Sequence, residues 1–423
     1  MNFENSLAFA QQLDKQDSLA HFRNEFHLIK KDGMPMVYLC GNSLGLQPKS
    51  AKAAIDQELN DWAEMGVEGH FDGKNPWLYY HHFLTEKAAK LVGALPSEVV
   101  IMNNLTANLH LMMVSFYRPT PTRYKIMMEV SAFPSDMYAM ETQARFHGLN
   151  PDDAIIELKP REGEHTLRTE DILAQIETHK DSLAIVMIGG VNYYTGQAFN
   201  MQAITAAAHA VGAIAGFDLA HAAGNLHLQL HDWDVDFAVW CTYKYLNSGP
   251  GGTSGVFVNE RHGNKPELVR FAGWWGHDEQ ERFQMRKGFK PMIGAAGWQL
   301  SNAQIFPMAI HKASLEMFDE AGMENLRKKS ELLTGYLEFI LKDYSQYLTV
   351  ITPTDPKQRG CQLSVIVKNE GKKLFDYLQT QNILPDWREP DVIRMSPVPM
   401  YNCFEDIFRI GLALKGYYLQ EGR

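Results

Sequence analysis

Short apolar runs alternate with helix-patterned segments through the middle of this 423-residue chain. That rhythm constrains the fold more than any other feature. Strands are expected at 99–102, 125–130, 154–158, 183–191, 213–219, 237–243 and 255–259. Between them Leu105, Leu109, Met112 and Phe116 recur at helical spacing, and helices are expected at 134–147, 169–178 and 202–211. The helix at 169 is expected to start on a Thr cap, with acids in its first turn. Strand–helix repetition of this kind gives an α/β fold: a mainly parallel sheet with helices on both faces. Ligands of such sheets bind beyond the carboxyl ends of the strands.

Beyond about residue 307 the pattern changes. A helical stretch over 309–344 breaks near Gly322. Strands at 348–352, 361–367 and 392–395 and helices at 372–381 and 404–418 follow. This reads as a smaller α+β domain that also takes up the start of the chain. The expected division is a large domain over 46–306 and a small one built from 1–45 and 307–423.

Composition narrows the partners. Lys and Arg total 40 against 50 Asp and Glu, a net charge of −10, with no basic stripe. Nucleic-acid binding needs clustered cations to neutralise phosphates, so that class is set aside. Cys40, Cys241, Cys361 and Cys403 are scattered, with no C-x-x-C pair. Neither a zinc framework nor a disulfide framework is expected, and the thiols point to a reducing compartment. The N-terminus lacks a basic and then apolar leader, and the run 204–217 is too short to span a bilayer. A cytoplasmic protein without membrane contact is expected.

Four constellations sit where the strands end. Lys244 follows the apolar run Phe237-Ala238-Val239-Trp240-Cys241 and precedes the Gly-rich turn Gly249-Pro250-Gly251-Gly252. A desolvated lysine there is either a Schiff-base nucleophile or a side chain snorkelling from a strand end. Asp218 and His221 follow the run 213–217. They read as a partner for a cationic ring nitrogen, or as a cap with a core histidine. Asn104-Leu105-Thr106 opens a helix, as an anion site or as a plain cap. Phe133-Pro134-Ser135-Asp136 offers a ring for stacking and polar groups for a cap. Trp274 adds an indole donor, or belongs to an interface patch. Together these are a phosphate cradle, a ring clamp, a nitrogen partner and an aldehyde anchor, the parts a pyridoxal-phosphate site requires.

The same residues resemble kynureninases, pyridoxal-phosphate enzymes of the aspartate-aminotransferase superfamily. The likeness runs from Tyr38-Leu39-Cys40-Gly41-Asn42-Ser43-Leu44-Gly45 through Phe133–Asp136, Asp218–Gly224 and Thr242–Asn247 to Ile393-Arg394-Met395-Ser396-Pro397. It implies a fold type I enzyme that hydrolyses L-kynurenine or its 3-hydroxy form to an anthranilate and L-alanine. By resemblance Lys244 bonds the cofactor aldehyde and Asp218 partners the ring nitrogen with His221 beside it. Phe133 stacks on the ring, and Pro134, Ser135 and Asp136 complete that turn. Leu105 and Thr106 hold phosphate, assisted by Tyr243 and Trp274. Tyr243 is either a proton donor in the reaction or only a phosphate ligand. Arg394 resembles the arginine that grips the substrate carboxylate; its other reading is a salt bridge. Ser43, His70 and Asn302 match positions near the substrate's aromatic end, with Asn302 also near the cofactor. His70 and Asn302 are similar to members that accept the 3-hydroxylated substrate. The resemblance also implies a homodimer with active sites at the subunit interface; which residues cross over is left open, with Trp274 and Asn302 as the candidates. Two rivals remain: another enzyme on this scaffold, such as a cysteine desulfurase or aminotransferase, and a non-catalytic binding protein.

Overall fold

The computed structural model describes residues 2–422. Seven strands form the large sheet: β1 (Val99–Ile101), β2 (Lys125–Glu129), β3 (Ile155–Leu158), β4 (Leu183–Gly189), β5 (Ile214–Asp218), β6 (Phe237–Trp240) and β7 (Gly255–Val258). Their spatial order is β1-β7-β6-β5-β4-β2-β3. Neighbours from β6 through to β3 are parallel, whereas β7 is antiparallel to both β6 and β1. Every strand but β7 therefore points the same way.

The strand residues show why the sheet is covered on both faces. Val186 and Ile188 of β4 pack into one apolar core, and Ile185 and Met187 pack into another. Successive side chains on a strand point to opposite faces, so an unbroken apolar run needs a helix layer on each side. Helices α1 (Leu7–Gln16), α2 (Ser50–Met65), α3 (His82–Val92), α4 (Leu105–Phe116), α5 (Pro134–Phe146), α6 (Thr169–Thr178) and α7 (Met201–Ala210) precede or interleave with the strands. Leu109, Met112 and Phe116 of α4 and Met140 of α5 cover one face; Leu84 of α3, Ile172 of α6 and Ile204 of α7 cover the other. Each fully buried side chain of this size contributes about 1.5–3 kcal/mol.

Beyond β7 come α8 (Ile305–Ala321) and α9 (Met323–Lys342), broken at Gly322, whose φ of 73° ends the first helix. A four-stranded antiparallel sheet follows: β8 (Leu348–Val350), β9 (Leu363–Val367), β10 (Asp386–Arg388) and β11 (Val392–Met395), ordered β8-β9-β11-β10. Helices α10 (Gly371–Thr380) and α11 (Phe404–Gln420) complete it. Its apolar core gathers Leu333, Leu363, Ile393 and Ile410 with Ala10 and Leu13 of α1 and with Val37 and Leu39. Leu19, Phe22 and Phe26 pack instead in the core of the large sheet, as do Met308 and Phe318 of α8. No helix among the described residues is long and apolar enough to cross a membrane.

Two local expectations need correction. Thr169 is not the cap of α6. Arg168 holds that position without a side-chain bond, and Thr169 is the first helical residue. Arg168 is drawn back to Glu164, while Glu170 and Asp171 in the first turn meet the positive end of the helix. The strand expected over 237–243 stops at Trp240. The chain leaves the ladder there, reaching a left-handed Asn247 with φ 53°, and this turn presents Lys244.

Candidate active site

β2, β4 and β5 end on Glu129, Gly189 and Asp218, and Lys244 lies in the turn after β6. Register sets Asp218 between Gly189 and Val239, so these ends form one row. They line a single cleft with the starts of α4 and α5. Lys244 is buried there, with Nζ 3.0 Å from His221 Nε2. Burial first, then Lys244 and Arg394, hold the His221 imidazole well below its usual range. The ring is neutral, and Nε2 accepts from the lysine.

Three carboxyls share the opposite wall. Asp218 Oδ1 accepts the Ala220 N–H at 2.7 Å. Asp136, in the first turn of α5, sets its carboxyl against that of Asp218. Burial, reinforced by Asp218 and Glu129, raises Asp136 well above the carboxylate range, so Asp136 is the protonated member. Burial also raises Glu129, to about 7, although its oxygens accept the Gly189 N–H at 3.3 Å. Burial raises Asp218 as well, but the Ala220 N–H and Lys244 pull it back, so Asp218 is the charged member that a cationic ring would face. Phe133, the residue before α5, is 42% exposed at this cleft. Its ring lies 5.7 Å from Lys244 Nζ and meets Tyr193 edge-on at 5.3 Å. An aromatic face left open beside buried acids is a platform for a flat heteroaromatic ring.

The cleft's far end fits an anion. Asn104 caps α4 by accepting the Ala107 N–H, which leaves the first-turn N–H groups of Leu105 and Thr106. Thr106 Oγ1 meets Ser135 Oγ of α5 at 2.7 Å, so two hydroxyls and two helix N-termini converge. Pro134 is the first residue of α5, where its missing N–H costs nothing. A phosphate, a flat cationic ring and an amine-reactive group would each find a complementary wall here.

The 38–48 segment packs against the Lys244 turn. The Gly45 N–H donates to the Tyr243 carbonyl at 2.9 Å, and a Cβ at Gly45 would collide with the Lys244 carbonyl and Asn247. Only glycine permits that approach. Ser43, on the same segment, donates to Asp386 of β10 and receives Arg394 Nη2 at 3.2 Å. Arg394 of β11 is 1% exposed; it also pairs with Asp386 and donates from Nη1 to the Tyr193 carbonyl at 2.8 Å. Tyr193 thus joins the Phe133 platform to the arginine.

Ser43 and Arg394 meet the cleft only through Tyr193, whereas Trp274, Asn302 and His70 lie away from it in this chain. The Trp274 indole is 42% exposed and donates to the Arg282 carbonyl at 3.1 Å. Asn302 is exposed, and His70 sits on a turn against Trp77. Two residues of the site, Glu129 and Asp386, are not expected from the sequence, and Tyr193 is expected only as part of the strand-end run 192–197. Glu129 carries the signal that marked Asp218, an acid closing an apolar strand. Tyr193 lies in a polar strand end. Asp386 gives no sequence signal.

A family model for the kynureninase C-terminal domain matches residues 326–414. The kynureninase of Myxococcus xanthus is 58% identical over 417 residues, 98% of this chain and 98% of that protein. The chain belongs to the kynureninase family. Kynureninases are hydrolases that act on carbon–carbon bonds. Among solved structures, a cysteine desulfurase of Thermococcus onnurineus shares the kynureninase fold seen here. It has a TM-score of 0.74 and 17% identity, covering 96% of this chain and 97% of that one. A variant of C-DES, with glycine covalently linked to its pyridoxal-phosphate cofactor, also gives 0.74 at 15% identity over 90% and 96%. At these identities the likeness is one of fold.

Proposed function

We propose that the Lys244 cleft holds pyridoxal 5′-phosphate. There the chain hydrolyses the Cβ–Cγ bond of L-kynurenine or 3-hydroxy-L-kynurenine, giving anthranilate or 3-hydroxyanthranilate and L-alanine. The observation that carries this is the meeting of Lys244 and His221 with the Asp136–Asp218–Glu129 wall in one cleft. When bound, the cofactor supplies an electron sink next to the substrate's α-carbon.

The chain's own residues do the rest. Lys244 Nζ anchors the aldehyde carbon and then moves the proton at the substrate's α-carbon. The Asp218 carboxylate, kept charged beside a protonated Asp136, keeps a proton on the ring nitrogen. Leu105, Thr106 and Ser135 hold the phosphate, and Phe133 covers the ring face. Arg394 grips the substrate carboxylate with its planar fork, from a position fixed by Asp386 and Ser43. Burial raises the Tyr243 hydroxyl far above its usual range, so it stays a donor. It donates to the oxygen on the γ-carbon as water adds there, or to the phosphate.

The division at 46–306, with both chain ends forming the second unit, is supported by the separate apolar core that joins Ala10, Val37 and Leu39 to β9 and β11. A cytoplasmic homodimer is part of the same reading. Trp274 meets exposed Phe283 edge-on and shares a surface hollow with exposed Met285 and Phe289. An exposed apolar cluster of this kind suits burial against a second copy. The partner's Trp274, Asn302 and His70 would then complete the cleft. A cysteine desulfurase is disfavoured because no cysteine among the described residues lines the cleft. Burial pushes the Cys40, Cys361 and Cys403 thiols up to about 12.

The test is direct. Protein loaded with pyridoxal phosphate, given kynurenine, should release fluorescent anthranilate and alanine in equal amounts. Given cysteine, it should release no sulfide. Sulfide without anthranilate would overturn the reading.

A further inference from the structure

His81 immediately precedes α3, and His82 is its first residue. Their ring centroids lie 4.1 Å apart. Glu279 reaches both from the irregular segment that carries Trp274: its Oε1 is 3.0 Å from His82 Nε2 and 3.5 Å from His81 Nε2. The three donor groups lie within 4.8 Å of one another. His81 is 1% exposed, yet neither ring nitrogen has a hydrogen-bond partner. A buried polar group without a partner is costly and needs a cause, and an ion is one such cause.

Geometry specifies the ion. Donors held about 2.0–2.1 Å from a tetrahedral zinc stand about 3.3 Å apart. The two separations to Glu279 straddle that value. We propose that His81, His82 and Glu279 form a binding site for one divalent transition-metal ion of the zinc class, with a fourth position open to water. Two imidazoles and one carboxylate are a zinc-type donor set. The nearby Arg282 guanidinium is engaged elsewhere, stacked on Trp275 at 4.4 Å and donating to the Trp275 carbonyl. A bound ion would tie the Trp274 segment to α3. It would thereby fix the surface that the homodimer reading assigns to the partner, although the site itself does not depend on that reading.

The experiment uses protein loaded with pyridoxal phosphate, stripped with EDTA, dialysed, and titrated with zinc chloride by calorimetry. Metal content is read by mass spectrometry. One zinc per chain is expected, with micromolar or tighter affinity and a rise in Tm. Glu279→Gln and His82→Ala, both at partly exposed side chains, should each weaken binding by more than about tenfold and abolish the Tm rise. Absence of stoichiometric binding would overturn the proposal. So would affinity unchanged from the unsubstituted protein in both variants, which would place the zinc on the cofactor or a cysteine instead.

Discussion

Lys244 Nζ stands 3.0 Å from His221 Nε2, inside a cleft that leaves the lysine only 9% exposed. Among the described residues no other amine lines the cleft. Lys244→Ala should therefore abolish the visible absorbance that pyridoxal phosphate gains on binding. It should also lower kcat by more than about 1000-fold, the scale lost with a covalent nucleophile that doubles as a base. Full turnover in this variant would return Lys244 to a snorkelling side chain.

Asp136 and Asp218 make different predictions although their carboxyls touch. Asp136 is the protonated partner, so Asp136→Asn keeps its donor and should leave kcat within about tenfold. Asp218→Asn removes the charge that keeps the ring nitrogen protonated, and kcat should fall by about 100-fold or more. Absorbance spectra and kcat of the two variants decide this. The reverse order of losses would mean that the proton sits on Asp218.

These carboxyls also show what the sequence reveals. Asp218 was legible because a wholly apolar strand ends on it, and Lys244 was legible for the same reason. Helix α2 was not. It buries Glu58 and Asp61 while Leu59 and Trp62 stay exposed, so its apolar period points away from the core. Those acids are buried for a reason a linear reading cannot reach. Glu58 accepts from Asn75, Trp77 and Tyr80, and Asp61 accepts from Lys74, which together hold the loop bearing His70. Asp386 was hidden likewise: β10 is three half-buried residues, and only folding brings it to Arg394.

Arg394→Ala should raise KM for kynurenine by about 100-fold with a smaller change in kcat, as expected for a charge-assisted pair to a carboxylate. Arg394→Lys should not restore it, because a lysine lacks the planar fork. Asp386→Ala strands a buried guanidinium, so Tm should drop with a loss of about 3 kcal/mol. An unchanged KM in Arg394→Ala would leave Arg394 as a structural partner of Asp386 alone.

Glu129 predicts a pH-dependent stability of the cofactor-free protein. Its folded value of about 7 lies above the ordinary 4.5. The folded chain thus keeps a proton that the unfolded chain has lost, and stability falls as pH rises from about 4.5 to 7. The full effect is about 3 kcal/mol. Glu129→Gln removes that cost, so its Tm should exceed that of the unsubstituted protein at pH 8. The two should converge at pH 4.5. A Tm difference independent of pH would show that Glu129 is ionised throughout.

Gly45 ties the N-terminal segment to the chemistry. A Cβ on it would run into the Lys244 carbonyl and Asn247, and its own N–H is bonded to the Tyr243 carbonyl. A methyl group there meets backbone, which cannot swing aside as a side chain can. Gly45→Ala should push the 38–48 segment off the Lys244 turn and cost about 1–3 kcal/mol in stability. Because Ser43 moves with it, KM should rise alongside the loss in kcat. A second substitution separates packing from chemistry. Gly33, also a glycine in a turn, has open space around it, and Gly33→Ala there should strain only the backbone, lowering Tm slightly with kinetics unchanged. If the two variants behave alike, the contact between Gly45 and the Lys244 turn plays no part in activity.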